Sequence, residues 1–444
     1  MAVTRSDRQE QTFPLTVTDA DTVNFWHQKA LIWATQSYEH VAFFNNNADQ
    51  LYGFSLPYRA FPNRLVAGVR QVVEFGAETD PFHTLYQVHQ REPDFRVGYL
   101  SYDLKNRIES LSSRNPDRMG FPDLYFFQPL HVIDFENTAL TIRSFENPGK
   151  VFESIEATAP NTGPVVRIGP KPTIERRVSP EEYRQTVKRI QQDIIDGTVY
   201  ELNYCIEFFA KQADLDPLAA YWALNDRSPM PFSHFLRIGN RYSLGASPER
   251  FLKKEGNRLV SQPIKGTIRR GQTIEEDRQL QQHLQTSEKE RAENLMIVDL
   301  VRNDLARSAE TGTVQVDELF GIYPFQQLSQ MVSTVSASLR DSLPFTEALR
   351  HAFPMGSMTG APKVRAMELI DQYEATRRGP FSGAAGFITP EGDFDFNVMI
   401  RSIFYNQSTR YLSFSVGSAI TYDADPQQEY EECLLKADAI LAIL

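Results

Sequence analysis

The chain has 444 residues, 41% hydrophobic and 23% charged, enough apolar sequence for a large core and a length suited to two or three domains or one intertwined unit. Forty-six basic against 57 acidic residues leave a net charge of −11, which argues against nucleic acid or an anionic membrane surface as the main partner but leaves room for a small anion at a locally basic site. Cys205 and Cys433, the only cysteines, are too few for a disulfide framework or a zinc cluster and suit a reducing cytoplasm; Met1 to Gln11 lacks the apolar core of a signal peptide, and without a run of about 18 apolar residues no membrane span is expected.

Residues 1–145 read as an N-terminal α/β region with short strand-like runs at 40–44 and 97–102. Residues 146–178 hold Pro148, Pro160, Pro164, Pro170 and Pro172 with Gly149, Gly163 and Gly169, the density of breakers expected of a connecting segment. A third region runs over 179–444. Ser179, Pro180 and Glu182 supply an N-cap, a first-turn proline and a capping box, followed at helical spacing by Tyr183, Val187, Ile190 and Ile194. Residues 234–246 predict a hairpin turning at Gly239-Asn240. Residues 287–308 predict a helix with Leu295, Val298, Val301 and Leu305 on its apolar face. Phe394, Phe396, Val398 and Ile400 alternate as in a strand, and residues 411–420 supply a partner strand after a polar turn at 406–409. A final helix starts at Pro426, capped by Asp425. Hairpins beside packed helices predict an α+β fold with antiparallel sheets.

Three segments carry candidate chemistry. Residues 263–271 read Pro-Ile-Lys-Gly-Thr-Ile-Arg-Arg-Gly, where Lys265 suits a reactive amine as much as a solvated turn lysine. A lysine nucleophile must lose its proton, and from an ordinary pKa near ~10.4 the free amine costs roughly 4–5 kcal/mol at pH 7. The apolar flank, or Arg269 and Arg270, is expected to lower that cost. Glu290 and Glu293 on one predicted helix, and Glu429 and Glu432 on another, are each three residues apart and project from one side of their helix. Two such helices can converge on a hard cation such as magnesium. Taken singly, these acids also read as helix-end chemistry, since Ser287-x-x-Glu290 is a capping box and Glu429 lies in a first turn. Residues 353–363, Phe-Pro-Met-Gly-Ser-Met-Thr-Gly-Ala-Pro-Lys, fail the Walker spacing. They still offer backbone N–H groups and the Ser357 and Thr359 hydroxyls before a helix at 364–373, either as an anion cradle or as an ordinary glycine-rich helix entry.

Together with Ala246-Ser247-Pro248-Glu249-Arg250, residues 293–305, residues 356–367 and Glu429-Tyr430-Glu431-Glu432, these segments resemble the chorismate-utilising enzymes, which make anthranilate, aminodeoxychorismate, isochorismate or salicylate. The likeness spans roughly 180–444, marking 179–444 as a chorismate-binding catalytic domain, and is weaker in the N-terminal half, at 97–103. It implies two large antiparallel β-sheets packed face to face with helices outside. Within the family the residue after Pro-Ile is typically alanine in the anthranilate branch and lysine in the aminating branch, which Lys265 resembles. The implied reaction converts chorismate and ammonia to 4-amino-4-deoxychorismate, for 4-aminobenzoate and folate. The ammonia is drawn from glutamine by a separate glutamine amidotransferase subunit, since neither cysteine has a glycine-flanked nucleophile setting.

The resemblance also implies roles. Lys265 would attack C2 as the C4 hydroxyl leaves, and ammonia would then enter at C4 and expel the lysine. Glu249 would be the general acid/base at that hydroxyl, the alternative being a hairpin-end ion pair with Arg250. Glu290, Glu293, Glu429 and Glu432 would hold Mg2+ against the ring carboxylate. Lys436, the amides of Gly417, Ser418 and Ala419, and the hydroxyls of Thr267 and Ser357 would bind that end, while Arg401 would grip the enolpyruvyl carboxylate. Three positions depart from the common pattern. Gln330 replaces a frequent histidine, Glu201 stands where glutamine is usual and where the isochorismate and salicylate branch has lysine, and Gly417-Ser418-Ala419 replaces a more glycine-rich strand end. An anthranilate-forming enzyme is the main alternative, followed by an isochorismate or salicylate synthase or a non-catalytic chorismate-binding subunit.

Overall fold

The computed structural model describes residues 7–15, 20–47, 58, 60–75, 79–136, 138–160 and 171–444. Residues 1–6, and Gly163, Pro164, Gly169 and Pro170 of the breaker-rich segment, lie outside the described residues. Every strand pairing among the described residues is antiparallel, and the ladders join edge to edge into one large sheet system accompanied by helices. Strands of the two halves share ladders: Val41 pairs with Arg237, and Val97 with Phe387.

Side-chain alternation sorts the strands between two cores. In His40–Asn45, Val41 and Phe43 enter one core while Ala42 and Phe44 enter the other. Glu201–Ala210 behaves alike, with Leu202, Tyr204, Ile206 and Phe208 on one side and Cys205 and Phe209 on the other. Both faces are therefore dry, which explains why these strands are apolar at nearly every position. The first core is covered by the helices Pro180–Ile195, Pro217–Arg227 and Pro426–Ile443, through side chains such as Val187, Tyr221 and Ile440. The second gathers Phe126, Phe232, Leu252 and Phe396 against one face of the helix Glu288–Ala306.

Local signals set the helix starts. Ser179 and Glu182 close the predicted capping box, and Asp425 accepts from the Gln427 and Gln428 N–H groups. The hairpin forms as Phe232–Ile238 and Arg241–Ser247. Several boundaries differ from expectation. The strand at 97–102 is Arg96–Leu100, followed by a 3-10 turn at Tyr102–Leu104. The connecting segment contains a helix, Pro148–Ala157, because Asn147 caps it and Pro148 sits where a missing N–H costs nothing. Leu295 is 46% exposed; the buried stripe of its helix runs through Ile297, Val298, Val301 and Leu305. The strand Phe394–Asn397 stops short of Val398, and it is Ser402–Asn406 that pairs with Tyr411–Ile420. Cys205 and Cys433 are free and buried.

Candidate active site

Lys265 lies on the strand Ile264–Arg269, 9% exposed, in the wall of a cleft of about 860 Å³ counted to its open mouth. Its backbone carbonyl accepts from Asn294 Nδ2 at 3.3 Å, and Asn294 in turn accepts from Ser333 Oγ at 2.6 Å. Gly266 follows at φ +95°, and a Cβ there would stand 3.0 Å from Glu290 Oε2, so both the backbone and the space call for glycine. Lys265 Nζ donates to Glu201 Oε1 at 2.6 Å. Burial presses the ammonium toward neutrality, but Glu201, Glu293 and Glu432 outweigh it, and its pKa lies above the ordinary lysine value. The expected lowering is thus reversed in the ligand-free protein. Arg269 and Arg270 contribute nothing to it, being paired with Glu276 and Asp277 at 2.6 and 2.7 Å.

Glu249 occupies the turn between Arg241–Ser247 and Arg250–Glu255 and is 4% exposed. Burial pushes its carboxyl up to about 7, against the Ser357 hydrogen bond and the Lys265 charge. Ser357 Oγ donates to Glu249 Oε1 at 2.6 Å, so this hydroxyl orients the acid. Arg250 turns the other way, to Asp395 at 2.9 Å and Gln262 at 2.6 Å, which leaves Glu249 without the alternative ion pair. Asn203, which sequence reasoning passed over, also lines the cleft and donates from Nδ2 to the Ser357 carbonyl at 2.8 Å.

Glu290 and Glu293 reach the cleft from Glu288–Ala306, and Glu429 and Glu432 from Pro426–Ile443. Burial, opposed by Lys265 and reinforced by Glu201 and Glu290, pushes Glu293 up to about 8. Glu290 and Glu429 are raised by burial and then by Glu432. Glu432 is held below the carboxylate range because Lys436, at 2.5 Å, overcomes its burial. Lys289, a second residue missed in the sequence, stands 3.2 Å from Glu429 and 3.9 Å from Glu293. Glu293 Oε1 is buried with no hydrogen-bond donor. Among the described residues no three acidic, histidine or cysteine side chains stand as a closed metal cage. The donor set nonetheless fits a hard dication: four carboxylates on two helices, mutual repulsion, one orphaned oxygen, and Lys289 meanwhile supplying positive charge between the pairs.

Opposite, Arg401 has φ +52° and no hydrogen-bond or ion-pair partner for its guanidinium among the described residues. Burial, opposed by Glu432, draws its pKa down to about 10. Thr267 sits across the ladder from Gln330, whose Oε1 is buried and unsatisfied. Lys436 Nζ donates to the Gly417 carbonyl at 2.8 Å. A residue's N–H and C=O share one side of an antiparallel strand, so the Gly417 and Ala419 N–H groups share this edge, and both residues line the cleft. Ser418 does not line it; its hydroxyl meets Tyr183 Oη at 2.8 Å. The arrangement offers an amine, a near-neutral acid, a dication-type carboxylate set and an unpaired guanidinium, which suits a small dicarboxylate undergoing acid-assisted displacement.

Residues 30–442 match the chorismate binding enzyme family. The chain is 35% identical over 399 residues to anthranilate synthase component 1 of Thermus thermophilus, covering 85% of this chain and 86% of that protein. It is likewise 35% identical over 377 residues to aminodeoxychorismate synthase component 1 of Salmonella typhimurium, covering 83% and 81%. The solved anthranilate synthase component I of Streptococcus pneumoniae superposes with a TM-score of 0.76 at 26% identity, covering 88% of this chain and 94% of that one. The antiparallel α+β architecture expected from the sequence is therefore that of anthranilate synthase component I.

Proposed function

The chain belongs to the chorismate-binding enzymes, and from that premise we propose that it converts chorismate and ammonia to 4-amino-4-deoxychorismate, the work of an aminodeoxychorismate synthase component I. The observation that carries this reading is the buried Lys265 amine facing the same cleft as Glu249, an acid that is about half protonated near neutrality. Lys265, once neutral, adds to C2 of the ring as the C4 hydroxyl departs with the proton of Glu249, and ammonia then takes C4 and releases the lysine. Ser357 keeps Glu249 aimed. Arg401 holds one substrate carboxylate, and Lys436 with the Gly417 edge holds the other end. Glu290, Glu293, Glu429 and Glu432 would hold Mg2+, which supplies charge neutralisation at the ring carboxylate.

Ammonia comes from a partner. Burial raises the thiol pKa of Cys205, and it raises that of Cys433 to about 11, so neither is a ready glutaminase nucleophile. The Salmonella relative's designation as a component 1 supports a second component, which we take to be a glutamine amidotransferase. No helix among the described residues is long and apolar enough to cross a membrane, and we place the reaction in the cytoplasm, on the route to 4-aminobenzoate and folate. An anthranilate synthase is the second reading, favoured by the Thermus relative. Purified protein with chorismate, magnesium and ammonium is expected to yield 4-amino-4-deoxychorismate; fluorescent anthranilate instead would establish the second reading. Without ammonia, intact mass is expected to reveal a substrate adduct on wild type and none on Lys265→Ala. Failure to consume chorismate under any ammonia supply would point to a non-catalytic binding subunit.

A further inference from the structure

We propose that Glu201 is the proton acceptor for Lys265 and so a further catalytic residue, an assignment that rests on the amination reading above. Glu201 lies on the strand Glu201–Ala210, 1% exposed, 64 residues from Lys265 in sequence and 2.6 Å from its Nζ. It is the only carboxylate within 4 Å of that nitrogen among the described residues. Other carboxylates face the amine from further off: Glu249 from its turn, Glu290 and Glu293 from Glu288–Ala306, and Glu432 from Pro426–Ile443.

The way Glu201 is bonded sets it apart from Asp395, Glu207 and Glu374. Asp395 accepts from Arg250 on both oxygens. Glu207 accepts from Arg177, Tyr411 and Ser413. Glu374 accepts from Arg378 and the Cys205 N–H. Each of these carboxylates is held by several fixed donors. Among the described residues the lysine ammonium is the single donor to Glu201, and Glu201 Oε2 is buried with none. Moving one proton across 2.6 Å therefore removes two charges from a dry site and breaks no other hydrogen bond.

The step balances. The Lys265 ammonium gives a proton to Glu201, leaving an amine and a carboxylic acid. The amine's lone pair forms the bond to C2, both conjugated ring double bonds shift, C1=C2 to C1=C6 and C5=C6 to C4=C5, and the C4–O bond breaks as Glu249 delivers its proton, releasing water. Ammonia attacks C4, both double bonds shift back, and the C2–N bond breaks to free the lysine. The new C4 ammonium gives a proton to Glu249, and Glu201 returns its proton to Lys265.

Glu201→Gln keeps the shape and an acceptor oxygen but cannot take the proton. With chorismate, magnesium and ammonium in excess, kcat at pH 7 is expected to fall by about 10²–10³-fold while KM for chorismate moves less than about threefold. The pH–rate profile is expected to gain a limb rising about tenfold per unit, because the proton must now leave to solvent. Glu201→Asp, which keeps a base, is expected to recover at least about tenfold over the glutamine variant with the wild-type profile. Activity of Glu201→Gln within about threefold of wild type, or any loss with an unchanged profile, overturns the assignment. So does failure of Glu201→Asp to recover activity when it folds as wild type by circular dichroism. Acylation of Lys265 by acetic anhydride, followed by peptide mass across pH, separates this from the parent reading. An unshifted Lys265 profile in Glu201→Gln sinks the proton coupling even where amination stands, whereas a wild type that makes no 4-amino-4-deoxychorismate sinks the parent reading.

Discussion

Two buried acid–base pairs flank the strand Glu201–Ala210, and they are built on opposite plans. Arg378 donates to both oxygens of Glu374, to the Met358 carbonyl at 2.6 Å and to the Asn203 carbonyl at 2.9 Å, while Glu374 also accepts from the Cys205 N–H at 3.0 Å. A guanidinium does not give up its proton, and its planar fork ties Glu374, Met358 and Asn203 into one geometry. Lys265 and Glu201 share one hydrogen bond, with an oxygen left over and an exchangeable proton between them. On the reading proposed above, Arg378 holds shape through many acceptors, while Lys265 moves a proton to one.

The sharpest way to break this contrast is to remove each base. Lys265→Ala is expected to abolish amination by about 10³-fold or more with an unchanged far-ultraviolet spectrum, measured as product formed per minute. Arg378→Met should instead cost about 3–5 kcal/mol of stability, because buried Glu374 keeps only the Cys205 N–H as a donor, and would appear as a lowered denaturant midpoint. Glu249→Gln comes next, with kcat reduced by about 10²–10⁴-fold. Wild-type kcat/KM should decline as pH rises through about 7, where Glu249 loses the proton it must deliver, and the variant should lack that decline.

The same acids bear on stability. Folding raises Glu249 to about 7 and Glu293 to about 8 from an ordinary value of 4.5, so the folded chain binds these protons more tightly than the unfolded one. Their stabilisation is full below about 4.5 and is lost as pH climbs through 7 to 8. Metal-free protein should accordingly melt lower at pH 8 than at pH 5.5. Magnesium binding at pH 7 should release protons, seen as a buffer-dependent heat in calorimetry. Arg401→Met should raise KM for chorismate by about 10–150-fold, the loss of one charged hydrogen-bonding group worth about 1.5–3 kcal/mol. Ser418→Ala, whose hydroxyl meets Tyr183 and also favours the anionic form of Glu429, should change activity only a fewfold and lower stability by about 1 kcal/mol.

What could be foreseen follows the range of the forces involved. Helix starts at Ser179 and Asp425 depend on residues two to three positions away, and both were legible. The paired spacing of Glu290 with Glu293 and of Glu429 with Glu432 placed all four at one cleft, because helical periodicity survives folding. The charge state of Lys265 was not legible. Its nearest cations in sequence, Arg269 and Arg270, belong to other ion pairs, while its real partner comes from a strand 64 residues away. Asn203 and Lys289 escaped notice for the same reason: each acts through groups distant along the chain, the Ser357 carbonyl and the Glu429 carboxylate. Ser418 sits beside two cleft-lining residues in sequence, yet its hydroxyl meets Tyr183 behind the cleft and reaches the site only through Glu429.

Arg401 lines the cleft with no counter-ion bonded to it among the described residues. Burying a lone cation is unfavourable until an anion arrives, so each empty copy is strained in a way each loaded copy is not. A ligand present at a hundred times its dissociation constant adds about 2.7 kcal/mol to the folded state. Thermal unfolding is therefore expected to move upward as a dicarboxylate ligand is added, and by less in Arg401→Met.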